Sequence, residues 1–157
     1  MPTLDELGRL LVEAAGLSGF MEVLQDGEQP RWWFCVDEER LLMAETDPHT
    51  GDLVVTTEVL LLGDLPDEQQ AAVLKQALAY NALWQETGGA RMSLLPEDES
   101  LQLMVSLPAK EQEASRVCQL LTNLLERSDD WAAALAESAT ADSPQRPAGG
   151  PGNLMPV

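Results

Sequence analysis

YNALWQETGGARMSLL, residues 80–95, runs at helical spacing into two adjacent glycines and leaves them with the character of a strand. Glycine takes up left-handed backbone at little steric cost, so Gly88 and Gly89 most simply close the helix and turn the chain back into a sheet. A phosphate cradle uses the free amides at the start of a helix and a Lys that follows; these glycines end a helix, and Ala90 and Arg91 come next. The stretch is read as a corner between helix and strand.

Working outward from that corner, Pro66 suits a first helical position, and Asp67 and Glu68 suit the positive end of a helix dipole, which predicts a helix from about Pro66 to Glu86. Beyond the glycines, ARMSLLPED and SLQLMVSL form a hairpin around the acidic turn EDES, and Pro108 opens a last helix. Val117, Leu121, Leu124, Trp131 and Leu135 share one face of that helix, which ends near Ser138. Toward the N-terminus, Thr3 and Glu6 make a capping box ahead of Leu4, Leu7, Leu11 and Ala14, so residues 3–16 should be helical, with Gly16 as the stop. From Arg31 the period changes to two: Trp32, Phe34 and Val36 alternate with Trp33, Cys35 and Asp37. RLLMAET (40–46) and LVVTTEVLLL (53–62) complete a three-stranded antiparallel meander through the turns DEER and DPHTGD. The fold class is α+β, in the order helix, three-stranded meander, helix, β-hairpin and long C-terminal helix. One domain is expected over residues 1–138, and the Pro- and Gly-dense 139–157 read as a disordered tail with Leu154 and Met155 near its end.

The net charge of −18, with only 9 Lys and Arg, excludes the concentrated basic surface that nucleic acid or an anionic membrane requires. No apolar run approaches the roughly 20 residues of a membrane span, and MPTLDELGRLL places acids where a signal peptide carries its positive flank, so a cytoplasmic location is expected. Cys35 and Cys118 are too few and too distant in sequence for a zinc site or a disulfide framework and read as buried free thiols. His49 is the single histidine and falls in a turn, so neither a metal site nor a cofactor site is indicated. No serine lies in a G-x-S-x-G elbow, and the carboxylates cluster in turns and helix starts, where solvated acids are expected. Catalysis would need a deep pocket with convergent, shifted carboxylates, and the chain is read as a non-enzyme.

The second helix is apolar over more than one face. Leu74, Leu78 and Ala82 form one stripe, and Val73, Ala77, Tyr80 and Trp84 form another that overlaps it. The sheet covers one side, and a second copy across a two-fold axis is the economical cover for the other. A homodimer is therefore expected, with Leu74, Leu78, Asn81 and Ala82 in its interface.

The order of elements over residues 3–137 resembles the class I type III secretion chaperones, the CesT/Tir-chaperone family. The features that carry the likeness are the leucine-rich helix with Asn81, the Gly88–Gly89 corner, the hairpin with its acidic turn and the long helix bearing Trp131. In acidity and length the chain is most like the broad-specificity, HpaB-type members. The resemblance implies a homodimer that binds the N-terminal regions of type III secreted effectors and keeps them extended, without a nucleotide of its own, the secretion-system ATPase being a further candidate partner. An exposed sheet edge beside apolar side chains can hold many sequences, because the backbone supplies the pairing. The candidate effector-binding residues are Trp33 and Cys35, on the strand face opposite Trp32 and Phe34, and Leu10 and Leu17, which widen the apolar arc of the first helix. The alternative is a protein-binding module of the same fold outside secretion, which fold alone does not separate from a chaperone.

Overall fold

The structure is a computed structural model and describes residues 2–140. By its backbone contacts the chain forms two compact units, one of residues 2–57 with Met104–Leu124, the other of Glu58–Leu103 with residues 125–140.

The first unit opens with α1 (Leu4–Ser18), whose capping box forms as expected. The Thr3 hydroxyl accepts from the Glu6 N–H at 3.2 Å, and the Glu6 carboxylate accepts from the Thr3 N–H at 2.7 Å. Leu7, Leu11, Ala14 and Ala15 are buried. The helix ends at Gly19 and not at Gly16. Gly19 has φ 75°, its N–H reaches the Gly16 carbonyl, and the Phe20 N–H reaches the Ala15 carbonyl at 3.0 Å, a Schellman closure that needs left-handed backbone at one residue. Gly16 stays helical because the terminating bonds form three residues later. Phe20 then meets Phe34 edge-on at 6.1 Å.

Four strands follow: β1 (Glu22–Gln25), β2 (Arg31–Cys35), β3 (Leu41–Thr46) and β4 (Leu53–Leu61). The meander thus has one strand more than the alternation indicated, since β1 is too short to show a period. The pairing is antiparallel, with Val23 opposite Phe34, Phe34 opposite Leu42, and Leu42 opposite Thr57. That row, and the row Gln25, Trp32, Ala44 and Val55, lie on one sheet face; Leu24, Trp33, Met43 and Thr56 lie on the other. Trp32, Phe34, Leu42, Ala44 and Val55 are all but inaccessible to solvent. Burial of a large apolar side chain contributes about 1.5–3 kcal/mol, so these positions dominate the stability of the unit. The DEER and DPHTGD turns are held by Asp37 and Asp47. Asp37 accepts from the Glu39 and Arg40 N–H groups at 2.9 Å each, and Asp47 from the His49 N–H at 2.7 Å. Cys118, in the last helix, accepts from the Ser18 hydroxyl at 3.2 Å; both cysteines are free and half-buried.

The second unit contains a 3-10 turn (Leu62–Asp64), α2 (Asp67–Asn81) and β5 (Arg91–Leu95). It shares β4, β6 (Ser100–Leu107) and α3 (Ala114–Thr140) with the first unit. Here α2 stops at Asn81, earlier than Glu86, and residues 82–89 form turns closed by a bond from the Gly89 N–H to the Trp84 carbonyl at 3.1 Å. Gly88 and Gly89 have φ 69° and 86°, as a left-handed corner requires. Tyr80 stacks edge-on with Trp131 at 5.1 Å, and burial pushes its phenol pKa up. The Ser128 hydroxyl donates to the Glu58 carbonyl at 2.9 Å. In α3, Val117, Leu121, Leu124, Trp131 and Leu135 are all buried, as their spacing predicts. Pro108 does not open that helix. Glu111 has φ 61°, and the Glu113 carbonyl is the first to accept helical bonds, from Arg116 and Val117.

The strands lie in the order β1-β2-β3-β4-β6-β5, so β1 and β5 are the sheet edges. The expected tail lies outside the described residues, except that the backbone of Ala139 and Thr140 continues α3.

Candidate functional site: a groove beside the edge strand

In the first unit α1 packs over the sheet face that carries Val23 and Trp32, and a groove of about 620 Å³ is left between the helix and β1. Leu4, Gly8 and Val12 form its helical wall, Val23 and Gln25 its strand wall, and Trp32 contributes from β2. Trp32 is 2% exposed, while Val12 is 57% exposed, so the groove has a fixed base and an open apolar lip. Gly8 makes room for it. A Cβ added there would lie 3.6 Å from the Trp32 indole nitrogen, an ordinary contact, so it is a side chain longer than that of Ala that would fill the groove. Asp5, Arg9 and Glu13 line the same groove, and the Arg9 Nε donates to the Asp5 carbonyl at 3.4 Å.

The groove adjoins the β1 edge, whose outer side has no neighbouring strand among the described residues. An apolar channel next to unpaired strand backbone is the geometry that accepts an extended peptide: the backbone gives affinity and pockets for alternate side chains give selectivity.

None of the four residues marked from sequence as effector-binding lines this groove. Trp33 and Cys35 are half-buried on the opposite sheet face, where Trp33 lies between Leu24 and Met43. Leu10 is half-buried and Leu17 is 59% exposed. Both lie on a flank of α1 turned away from Gly8, since an offset of two residues is about 200° of helical rotation and one of nine residues is a net of about 180°. Periodicity does not point to the groove residues, because Gly8 has no side chain to mark a stripe, Val12 lies to one side of Leu7, Leu11 and Ala14, and Val23 belongs to a strand too short to show a period. The available signal was a glycine inside a capped helix, where it costs about 1 kcal/mol relative to Ala and calls for a packing reason.

In the second unit Leu78 is 69% exposed and Trp84 59%, with Leu83, Leu94 and Leu95 also exposed. Leu74 is half-buried and Ala82 exposed. The Asn81 amide is engaged within the chain: its Nδ2 donates to the Met92 carbonyl at 2.9 Å, and its Oδ1 accepts from the Met92 N–H at 2.7 Å. Among the described residues no group of three or more His, Cys, Asp or Glu is arranged to hold a metal ion, and no helix is long and apolar enough to cross a membrane.

Comparison with known proteins adds to this geometry. A chain of the crystal structure of the ExsC–ExsE complex superposes with a TM-score of 0.71 at 19% identity, covering 91% of this chain and 100% of that one. A chain of the HopA1–SchA chaperone–effector complex superposes with a TM-score of 0.58 at 18% identity, covering 81% of this chain and 94% of that one. No curated protein sequence matches significantly. The Tir chaperone protein (CesT) family matches residues 9–132, a span that includes most of α1, the whole sheet, α2 and α3 through Trp131. The chain belongs to the Tir chaperone protein (CesT) family.

Proposed function

We propose that the protein is a type III effector chaperone that binds the N-terminal region of its clients as an extended chain at the β1 edge and keeps that region secretion-competent. The observation that carries this reading is the open β1 edge alongside the groove of Gly8, Val12, Val23 and Trp32, in a member of a chaperone family. One structural neighbour comes from a chaperone–effector complex, which agrees with a peptide-holding role. A client strand on β1 directs alternate side chains to opposite faces. One set meets the groove, and the other meets Leu24, Trp33 and Met43, which gives Trp33 and Cys35 a place on a second contact face. Backbone pairing is independent of client sequence, so one edge can serve many effectors.

The working unit is a homodimer. Its interface is the exposed apolar surface of Leu78, Leu83 and Trp84, flanked by Leu74 and Ala82. Apolar surface on this scale in an otherwise acidic chain calls for a partner. The protein acts in the cytoplasm, without a cofactor and without catalysing a reaction.

Titration of the purified protein with effector N-terminal fragments, read by calorimetry at low and high salt, tests this reading. Submicromolar binding that weakens only modestly with salt is expected, because apolar burial and backbone pairing dominate. Failure to bind any fragment of a broad panel would sink the chaperone reading, and collapse of binding with salt would replace the groove by a purely electrostatic grip.

A further inference from the structure

A sheet edge is a row of backbone donors and acceptors able to take another strand. The two edges of this sheet differ. Antiparallel pairing turns the N–H and C=O of alternate residues toward the neighbouring strand and those of the residues between them outward. On β1 the bond from the Asp26 N–H to the Arg31 carbonyl continues the register that places Glu22 opposite Cys35 and Gln25 opposite Trp32. The groups of Glu22 and Leu24 therefore face β2, and those of Val23 and Gln25 face outward. The Gln25 carbonyl accepts from the Gly27 N–H at 3.0 Å; among the described residues the Val23 pair and the Gln25 N–H are left to start a ladder.

On β5 the first outward position is Met92, whose N–H and C=O are both bonded to the Asn81 side chain, at 2.7 and 2.9 Å. A carboxamide presents an N–H and a C=O side by side on one edge, as one strand residue presents its own N–H and C=O to the strand beside it, so Asn81 holds Met92 as a neighbouring strand would. By alternation the next outward position of this short strand is Leu94, and a single residue's pair does not make a ladder.

We propose that Asn81 is an edge cap: it closes β5 to strand addition and confines backbone pairing to β1. The consequence for client binding rests on the chaperone reading above; the cap itself does not. Other side chains of similar size fail for chemical reasons. Asp accepts from the Met92 N–H but cannot donate to its carbonyl, and Leu does neither.

The test uses the full chain without client: wild type, Asn81→Leu, Asn81→Asp, and Asn81→Leu combined with Leu94→Pro. Sedimentation of Asn81→Leu is expected to show at least about a twofold higher mass than wild type, through edge-to-edge pairing. In the double variant, where neither Asn81 nor an added strand bonds it, exchange of the Met92 amide hydrogen should accelerate about tenfold or more. Leu94→Pro removes the remaining outward donor on an edge where Pro is tolerated, and it should return the mass to the wild-type value. A wild-type mass for Asn81→Leu would overturn the proposal, whatever happens to its melting temperature. So would association that persists in the double variant, since it would not run through β5. If Asn81→Leu does not purify folded, Asn81→Asp is judged by the same two criteria. In a client titration, Asn81→Leu should gain a second site per chain. Absence of client binding to every variant would count against the chaperone reading and leave the mass comparison standing.

Discussion

Gly8→Leu separates the groove from the fold, because the two respond with opposite signs. Gly8 lies in the interior of α1, where replacing Gly by a good helix former contributes up to about 0.8 kcal/mol, enough to raise the melting temperature by roughly 2–4 °C in a chain of this size. Steric cost is small. The position of a new Cβ is 3.6 Å from the Trp32 indole nitrogen, an ordinary contact, and the rest of the side chain has the groove to enter. A client anchor would lose that same space. Displacing an aromatic or aliphatic anchor from its pocket costs about 2 kcal/mol, or roughly 30-fold in affinity. Gly8→Ala shares the helix gain without filling the groove and should bind as wild type does. The assay is calorimetric titration with one effector N-terminal fragment, paired with thermal denaturation of all three proteins. Unchanged affinity in Gly8→Leu would remove the groove from the binding site. Loss of affinity in both variants in step with a lower melting temperature would show that α1 packing had been damaged, and the reasoning would fail.

Three further perturbations test the rest of the structure. Leu78 is 69% exposed in the single chain, so Leu78→Glu should leave the fold intact but place an unpaired charge in the proposed dimer interface, at about 3–5 kcal/mol; light scattering should report monomer, and a persistent well-folded dimer would exclude Leu78 from the contact. Gly89 has φ 86° and open space around its Cβ position, so Gly89→Val should lower stability by about 1–2 kcal/mol through backbone strain alone, with Gly89→Asn milder; chemical denaturation measures both, and equal losses would contradict the strain argument. The bond from the His49 N–H, with smaller help from Thr50, holds the Asp47 carboxyl below its ordinary pKa of 3.8. A depressed folded pKa stabilises above the unfolded value and is lost as pH falls through the folded one, so the melting-temperature gap between wild type and Asp47→Ala should be constant from about pH 7 to pH 5 and shrink below pH 3.8. A gap that widens on acidification would refute this linkage.

By itself the sequence determined what rests on neighbours in the chain. The capping box at Thr3 and Glu6, the two-residue period of Trp32 and Phe34, the buried face of α3 from Val117 to Leu135 and the left-handed corner at Gly88 and Gly89 all depend on residues within a turn or a strand of one another. Their geometry is set by local sterics and local hydrogen bonding, and the α+β order follows from reading them in succession. Tertiary structure decided what depends on distant partners. Leu24 and Val23 became strand residues because β2 was there to pair with them, and Gly19 stopped α1 because the Schellman bonds closed there and not at Gly16. The groove needed Gly8 brought against Trp32, 24 residues further on, and that placement put it on the flank of Val12 and not on that of Leu10. Asn81 found its partner only with β5 beside it, where Met92 presents its N–H and carbonyl to the carboxamide. Periodicity tells which face of an element is apolar; which neighbour covers that face, and which edge is left open, is a property of the assembled sheet.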